Sequence, residues 1–232
     1  MPRRILLTRP EKKAATRQSL VRAGRKLFLA RGFHGASLDE IGLECGVTKG
    51  AVYANFADKN DLYLAVLDAH IEERLRAYRA GAATAATLEE LAHAYARVML
   101  DGGKLAARWV ALLVEVWTYA ASQPKLRAKL QQRHERMLNA VGLMLEEAAA
   151  KCGLEFRVSR AELARWVPAF ARGLLLERLL DQQNVSDEAF EAAFAGFLRD
   201  MMREHSTSMN WGSKPDDQRG TCSQRSHDVN RF

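Results

Sequence analysis

The sequence predicts an all-α fold, and three observations lead to this prediction. Ala, Leu, Glu and Arg are abundant whereas Pro occurs only five times, a composition that favours helix. Apolar residues recur at spacings of three and four, the period of one helix face. Three capping boxes, each a Ser or Thr followed three residues later by Glu, predict helix starts at Ser37, Thr87 and Ser159. We therefore expect a small N-terminal helical domain joined by a long helix to a larger helical domain.

Composition also limits the class of protein. Hydrophobic residues make up 48% of the 232 residues, which is enough for a core. There is no apolar run long enough to span a membrane, and the N-terminus lacks the apolar stretch of a signal peptide, so we expect a cytoplasmic protein without a membrane partner. The three cysteines, Cys45, Cys152 and Cys222, are far apart and suggest neither disulfides nor a zinc site. No metal or cofactor is expected.

Positive charge is concentrated at the N-terminus. Residues 1–31 contain ten Lys or Arg and one acidic residue, Glu11. We expect residues 1–15 to form a basic flexible arm and a first helix to follow a cap at Thr16. Such a block suits the neutralisation of phosphates, although a solvated basic segment or one that touches a membrane surface has the same composition.

The stretch from Ser37 to Phe56 predicts two short helices around a tight turn. Ser37 caps the first helix, Gly46 ends it in a conformation with positive φ, and Thr48 caps the second. Gly42 leaves room for the two helices to cross closely. This arrangement is typical of a helix-turn-helix, whose second helix enters the major groove of DNA. We therefore predict a DNA-binding domain over residues 16–57.

Residues 16–68 resemble the N-terminal domain of the TetR family of transcriptional regulators. They share, in order, a Gly-Phe before the second helix, a Gly-Val-Thr-Lys-Gly turn, a Tyr-x-x-Phe helix end and an Asp-Lys-x-x-Leu helix start. Gly42 stands where the family usually has Ala, and Asn55 where His is common. The resemblance implies four residues at base edges and two on phosphates, namely Thr48, Lys49, Gly50 and Ala51, and Tyr53 and Asn55.

The chemistry of these residues agrees with that division. Lys49 is a long donor suited to O6 and N7 of guanine, and the small residues that follow it allow close approach. Arg17, Ser37 and Lys59 lie at helix starts, where backbone N–H groups and the helix dipole favour phosphate. Packing in the core explains Tyr53 almost as well as a contact with phosphate does. A connecting helix is expected over residues 58–80.

Residues 81–204 predict a second helical domain, which a polar tail at 205–232 follows. Gly81 to Ala86 predict a joint of small residues. The segment from Lys104 to Ser122 is apolar on almost every side, which predicts a helix that is buried all round.

In the TetR family, the second domain dimerises mainly through its last two helices and encloses a small-molecule pocket. We therefore expect a homodimer through helices near 159–182 and 187–204, whose apolar faces exceed what one chain needs. Gly173 would allow close approach. Two recognition helices about one DNA turn apart, ~34–36 Å, would bind a near-palindromic operator in double-stranded DNA.

An effector pocket is expected to be mostly apolar with a few polar groups. Arg108 would favour an acidic group on an otherwise apolar or aromatic effector. Ordinary core packing is the alternative for each candidate. The candidate lining residues are Tyr95, Met99, Arg108, Trp109, Glu115, Trp117, His134, Met137 and Phe170.

No catalytic motif is present, so we do not expect an enzyme. The hypothesis is a homodimeric repressor whose effector shifts the fourth helix and thereby releases DNA. Two alternatives stay open. One is a redox sensor that uses Cys45 or Cys152, and the other is a DNA-organising protein without an effector.

Overall fold

The computed structural model describes residues 8–100 and 104–204, and within these ranges the chain forms nine helices and two short strands. The predicted all-α fold is confirmed, with one small addition, since the two strands pair as an antiparallel ladder. The elements are, in chain order, α1 (Arg9–Arg31), α2 (Leu38–Glu44), α3 (Lys49–Tyr53), α4 (Lys59–Thr84), α5 (Leu88–Leu100), α6 (Lys104–Ala121), α7 (Pro124–Lys151), β1 (Leu154–Phe156), α8 (Arg160–Leu180), α9 (Asp187–Asp200) and β2 (Met202–Glu204).

Helix α1 begins about two turns earlier than the sequence analysis predicts. Thr8 and Glu11 form a capping box, in which the Thr8 N–H donates to the Glu11 carboxylate at 2.6 Å. Thr16 is not a cap, because its hydroxyl donates to the Lys12 carbonyl at 2.9 Å inside the helix. The prediction of a flexible arm over 1–15 is therefore wrong for residues 9–15, and residues 1–7 lie outside the described ranges.

The predicted helix-turn-helix is present as α2 and α3. Ser37 caps α2 in a capping box with Glu40, and Gly46 follows the helix with a φ of 66°. Thr48 caps α3 by accepting a hydrogen bond from the Ala51 N–H. At Gly42, an added Cβ would lie 2.6 Å from a Val52 methyl group, so only glycine permits the observed closeness of the two helices. Helix α3 ends at Tyr53, earlier than predicted.

The N-terminal helical unit, residues 9–56, has its own apolar core. Phe33, Ile41, Val52 and Phe56 are at most 1% exposed, and Val47 packs against them. Side chains of α4, α6 and α7 complete this core. The helix-turn-helix is therefore held by helices from outside the unit as well as by α1.

Helix α4 runs for 26 residues, about 39 Å, from the Asp58 cap to Thr84. The predicted end near residue 80 and the small-residue joint at 81–86 are wrong, because Gly81 lies inside the helix. A Cβ at Gly81 would lie 3.1 Å from the Cβ of Ala94, so the glycine permits close packing of α4 against α5. The connection between the two parts of the chain is thus continuous helix.

Helix α6 is not buried all round as predicted. Leu105, Val114 and Trp117 are between 37% and 40% exposed, whereas Leu112 and Val116 are at most 2% exposed. The buried side of α6 contributes both to the core of the N-terminal unit and to the core of the C-terminal helical unit, residues 88–204. One helix therefore packs against both parts of the chain.

The C-terminal unit ends differently from the prediction. Helix α9 stops at Asp200, and Met202–Glu204 then pair with Leu154–Phe156. The predicted tail, 205–232, lies outside the described residues, as do Gly102 and Gly103. None of the described helices is both long and apolar enough to cross a membrane.

Candidate nucleic-acid interface and ligand cavity

Helix α3 exposes the side that the sequence analysis assigns to DNA bases. Its one buried residue is Val52, whereas Thr48, Lys49 and Gly50 are exposed. An added Cβ at Gly50 would meet nothing within 4 Å, so the backbone is open to close approach there. Tyr53 is 48% exposed, which excludes the core-packing alternative for this side chain. Contacts of these residues and of half-exposed Ala51 with DNA stay predictions.

Lys49 forms an ion pair with an acidic residue of α2. Its Nζ donates to Asp39 Oδ2 at 2.9 Å and lies 5.8 Å from the centre of the Tyr53 ring. The hydrogen bond to Asp39 raises the pKa of Lys49, so the ammonium is protonated at neutral pH. Exposed pairs of this kind are weak, and a guanine or phosphate can replace the carboxylate.

Three of the residues predicted to contact phosphate have partners within the chain. The Arg17 guanidinium donates to the Asn55 carbonyl at 2.8 Å and lies 4.2 Å from the centre of the Phe56 ring. The Asn55 amide donates to the Ala51 carbonyl at 2.8 Å. The Lys59 ammonium donates to the carbonyl of residue 36 at 3.0 Å. These side chains hold α3 and the α1–α2 loop in place, which is a structural role the sequence analysis missed.

Ser37 is also fully engaged within the chain. Its hydroxyl and its backbone N–H both donate to Glu40 Oε2, at 2.9 and 3.0 Å, and the other oxygen of that carboxylate binds Arg31. The hydrogen bonds from Ser37 are the largest cause of the lowered pKa of Glu40. The capping role predicted for Ser37 is therefore confirmed, and its contact with phosphate stays a prediction.

A cavity of about 270 Å³ lies between α4, α5, α6, α7 and α8. This volume is near the lower end of the range of small-molecule pockets, about 300–1,000 Å³. Most of its wall is apolar, with leucine, isoleucine, valine and aromatic side chains from all five helices. Six of the nine predicted lining residues are in this wall, namely Tyr95, Met99, Trp109, Trp117, His134 and Met137.

The other three predicted lining residues lie elsewhere. Arg108 is exposed on the outer side of α6. Phe170 stacks on Phe197, with ring centres 4.2 Å apart. Glu115 accepts hydrogen bonds from the backbone N–H groups of Phe33 at 3.0 Å and His34 at 2.9 Å. Arg108 and Glu115 are seven positions apart on α6, and neither lines the cavity, because the cavity wall of α6 is its apolar side.

Five basic or acidic residues of the cavity wall were not predicted, namely Arg25, His70, Glu73, Arg74 and Arg172. The His70 ring stacks on Trp109 with centres 3.8 Å apart, and burial lowers the pKa of His70 to about 3, so the imidazole is neutral at physiological pH. Helix α4 was expected only to connect the two domains. The spacing of His70 and Arg74, one turn apart on that helix, was the signal that could have revealed them.

Three buried polar atoms of the cavity wall have no hydrogen-bond partner among the described residues. They are Nδ1 of His70, Oη of Tyr95 and Nε1 of Trp109. Buried polar groups in folded proteins are normally paired, and an unpaired one costs stability. These three atoms are almost inaccessible in this arrangement, so a ligand could supply the missing partners only by shifting the wall.

Cys45 and Cys152, the two cysteines in the described ranges, are both free thiols. The Cys45 thiol donates to the Ser19 carbonyl at 3.3 Å, and burial raises the pKa of Cys45, which disfavours the reactive thiolate. Cys152 follows α7 and is a free thiol. Within the described ranges there is no group of His, Cys, Asp or Glu residues that could hold a metal ion.

The chain matches two protein families over most of its length. Residues 20–66 match the bacterial regulatory proteins of the tetR family, and residues 88–203 match the C-terminal domain of BetI-type transcriptional repressors. A curated relative is UidR of Escherichia coli strain K12, an HTH-type transcriptional regulator. It is 26% identical over 187 residues, which are 81% of this chain and 91% of UidR.

Solved structures show the same fold. A TetR-family transcriptional regulator from Rhodococcus sp. matches with a TM-score of 0.67 and 19% identity, over 82% of this chain and 100% of that one. A transcriptional regulator from Saccharomonospora viridis, solved in complex with choline, matches with a TM-score of 0.66 and 19% identity, again over 82% and 100%. At this identity the likeness establishes the architecture.

Proposed function

This chain belongs to the TetR family of bacterial regulatory proteins, and we propose that it is a homodimeric repressor released from its operator by a small apolar or aromatic effector. Membership makes it a DNA-binding transcriptional regulator and not an enzyme. The cavity carries the proposal, because its wall is mostly apolar and includes buried polar atoms that have no partner among the described residues. Its walls include α4 and α6, the helices that also pack against the helix-turn-helix.

Repression, rather than activation, is proposed from the match of residues 88–203 to a repressor-type C-terminal domain. A repressor acts by occupying its operator, which requires specific binding and regulated release. The exposed face of α3 supports specific binding, and the cavity supports regulated release.

A homodimer through α8 and α9 is supported by exposed apolar side chains. Trp166, Leu176, Leu179 and Leu180 of α8 are between 36% and 89% exposed in the single chain. Gly173, on the same helix, has open space where a Cβ would lie, so a second helix could approach closely there. Apolar groups clustered on one helix mark an interaction surface, and a second copy of the chain is the partner that a near-palindromic operator requires.

Coupling between the cavity and DNA is proposed to pass through α4 and α6. On α4, His70 lines the cavity while Tyr63, two turns away, is buried in the core of the N-terminal unit. On α6, Trp109 lines the cavity and Glu115 holds the loop between α1 and α2. An effector changes operator affinity only if it binds the DNA-bound and released arrangements with different affinity.

Footprinting combined with a reporter tests the repressor proposal. The purified protein should protect one near-palindromic site in DNA from its own genomic neighbourhood, and expression from that site should rise when the protein is removed. A fall in expression would identify an activator. Equal affinity for the site and for random DNA would instead identify a DNA-organising protein.

Two further measurements test the proposed homodimer and the redox alternative. Light scattering at micromolar concentration should give the mass of a dimer, and a monomer would contradict the proposed assembly. A variant with Cys45→Ser and Cys152→Ser should bind DNA like the natural chain in the presence and absence of oxidant. If oxidant changes DNA binding by the natural chain but not by this variant, the redox alternative is established.

A further inference from the structure

We propose that the effector is an organic anion, with an apolar or aromatic body inside the cavity and a carboxylate or similar acidic group against Arg172. The inference rests on the proposed ligand response and narrows it to one chemical class. It replaces the acid-binding role expected of Arg108, whose side chain is exposed outside the cavity.

The first step is the charge of the cavity wall. Among the described residues, it contains three guanidinium groups, those of Arg25, Arg74 and Arg172, and one carboxylate, that of Glu73. The Glu73 carboxylate is bonded to Arg25 at 2.6 Å, so it does not neutralise the other two. The wall therefore has an excess of positive charge beside an apolar interior, where a bound anion is attracted more strongly than in water.

The second step is the environment of Arg172. The side chain is only partly exposed, and no carboxylate in the described ranges pairs with it, unlike Arg25, Arg133 and Arg178, which each bind an acidic residue. Burial lowers the pKa of Arg172, a sign that the charged form loses hydration there. A charge that is partly removed from water and unpaired is costly, and a ligand carboxylate would offset that cost through a bidentate contact.

The position of Arg172 defines one end of the cavity. Its guanidinium lies 5.2 Å from the centre of the Trp117 ring, and that ring contacts His134 edge-on at 5.3 Å. Burial lowers the pKa of His134, and the charges of Arg172 and Arg165 lower it further, so His134 is neutral. Trp117 is 37% exposed, so the cavity wall reaches solvent beside Arg172. An acidic head group fits here, with its apolar body directed inward.

The interior of the cavity favours a ligand that carries hydrogen-bond acceptors. Tyr95 and Trp109 are 3% and 5% exposed, yet Tyr95 Oη and Trp109 Nε1 have no partner in the described part of the chain. An indole N–H can only donate a hydrogen bond, so the molecule that satisfies it must carry an acceptor. A ligand with oxygen acceptors on an otherwise apolar body meets this requirement.

A cationic ligand suits the wall less well, even though the wall is rich in aromatic rings. Quaternary ammonium groups bind to faces of aromatic rings, often beside a carboxylate. In this cavity the chain's own guanidinium groups already lie near those rings. Arg25 lies 5.6 Å from the centre of Trp109, Arg74 lies 5.6 Å from Tyr78, and Arg172 lies 5.2 Å from Trp117. A second cation would be repelled.

The test uses the full-length protein and sets of probes that differ only in charge. Three acids, 4-phenylbutyrate, 1-naphthylacetate and decanoate, are each compared with the primary amide and with a trimethylammonium analogue of similar length. Binding is measured by calorimetry and by quenching of tryptophan fluorescence. The inference predicts that at least one acid binds about tenfold or more tightly than its amide and its ammonium analogue.

Three variants test whether Arg172 is the residue that binds the acidic group of the probe. Arg172→Gln should weaken the binding of that acid about tenfold or more and leave the amide unchanged, while Arg172→Lys should recover part of the affinity. Arg165→Gln removes the same charge from an exposed position of α8 outside the cavity wall and should have little effect. Thermal unfolding of each variant confirms that it is folded.

The possible outcomes separate the inference from the proposed function. An amide or ammonium probe that binds as tightly as its acid, equal loss in Arg165→Gln, or no acid binding at all would overturn the anion assignment. If a neutral or cationic probe releases operator DNA, the ligand-released repressor stands and the anion assignment falls. If an acid binds through Arg172 and leaves operator affinity unchanged, the anion assignment stands and the proposed release fails.

Discussion

Replacing Glu115 by Gln should destabilise the contact between α6 and the helix-turn-helix. The Glu115 carboxylate accepts the N–H groups of Phe33 and His34 at 3.0 and 2.9 Å. Hydrogen bonds to a charged group contribute about 1.5–3 kcal/mol each, and the partial exposure of this site favours the lower end. Glutamine keeps one neutral acceptor and turns an N–H donor toward the second backbone N–H. We expect a loss of about 1–2 kcal/mol.

The assay is thermal unfolding followed by circular dichroism. For a chain of this length, about 1 kcal/mol corresponds to about 2–4 °C, so the Tm should fall by about 2–8 °C. The matched control is Glu72→Gln, which makes the same change of charge at an exposed position of α4. Because Glu72 lies outside this contact, its substitution should change the Tm by at most about 2 °C.

The same variant tests the coupling. If α6 transmits the occupancy of the cavity to the loop that Glu115 holds, Glu115→Gln should reduce the ratio of operator affinities measured without and with the tightest-binding acid. Equal Tm values and equal ratios for Glu115→Gln and Glu72→Gln would refute the reasoning. A lower Tm with an unchanged ratio would leave Glu115 a stabilising residue and assign the coupling to α4 alone.

Three further predictions concern other parts of the chain. Lys49→Ala should reduce discrimination between the operator and single-base variants by about 1–3 kcal/mol in fluorescence anisotropy titrations, because a base contact is lost; equal weakening on all sequences would make Lys49 a phosphate contact. Trp166→Glu should shift the mass from dimer to monomer in light scattering, since it places a charge on the exposed face of α8, and an unchanged dimer would exclude this face. His70 has a pKa of about 3 when folded, below its ordinary value of 6.5, so the unfolded chain binds more protons between these values. Stability should therefore fall as the pH drops below about 6.5, by about 1 kcal/mol at pH 5.5, and His70→Phe should remove this part of the pH dependence in urea unfolding. An identical pH dependence in the variant would show that the pKa of His70 is the same in the folded and the unfolded chain.

Local signals in the sequence predicted the helix starts well. Ser37, Thr48, Asp58 and Ser159 all cap helices, because a cap depends on residues only three positions apart. The same rule applied to Thr8 and Glu11 finds the true start of α1, whereas the polar composition of residues 1–15 does not. The charge of a segment indicates what it binds, but it does not determine whether its backbone is helical.

Contacts between residues far apart in the chain could not be predicted from the sequence. Nothing within α6 distinguishes Glu115 from a cavity residue, because its partners are two backbone N–H groups about eighty residues earlier in the chain. Likewise, Arg172 was not predicted, since its importance comes from lacking a carboxylate partner in three dimensions. The aromatic residues Tyr95, Trp109 and Trp117 were predicted correctly because an apolar stripe on a helix must face an interior.

The errors on α6 have one physical cause, which also bears on how the protein works. The helix was expected to be buried on all sides and to direct Glu115 into a pocket. Instead, different parts of α6 contact different regions of the chain, since Trp109 lines the cavity and Val116 packs in the core of the N-terminal unit. A ligand that displaces the backbone of α6 at Trp109 would also displace Glu115, because a helix transmits displacement along its axis as a nearly rigid body. The loop at Phe33 leads within four residues to the Ser37 cap of α2, so we propose that a shift of α6 acts on the orientation of the helix-turn-helix itself.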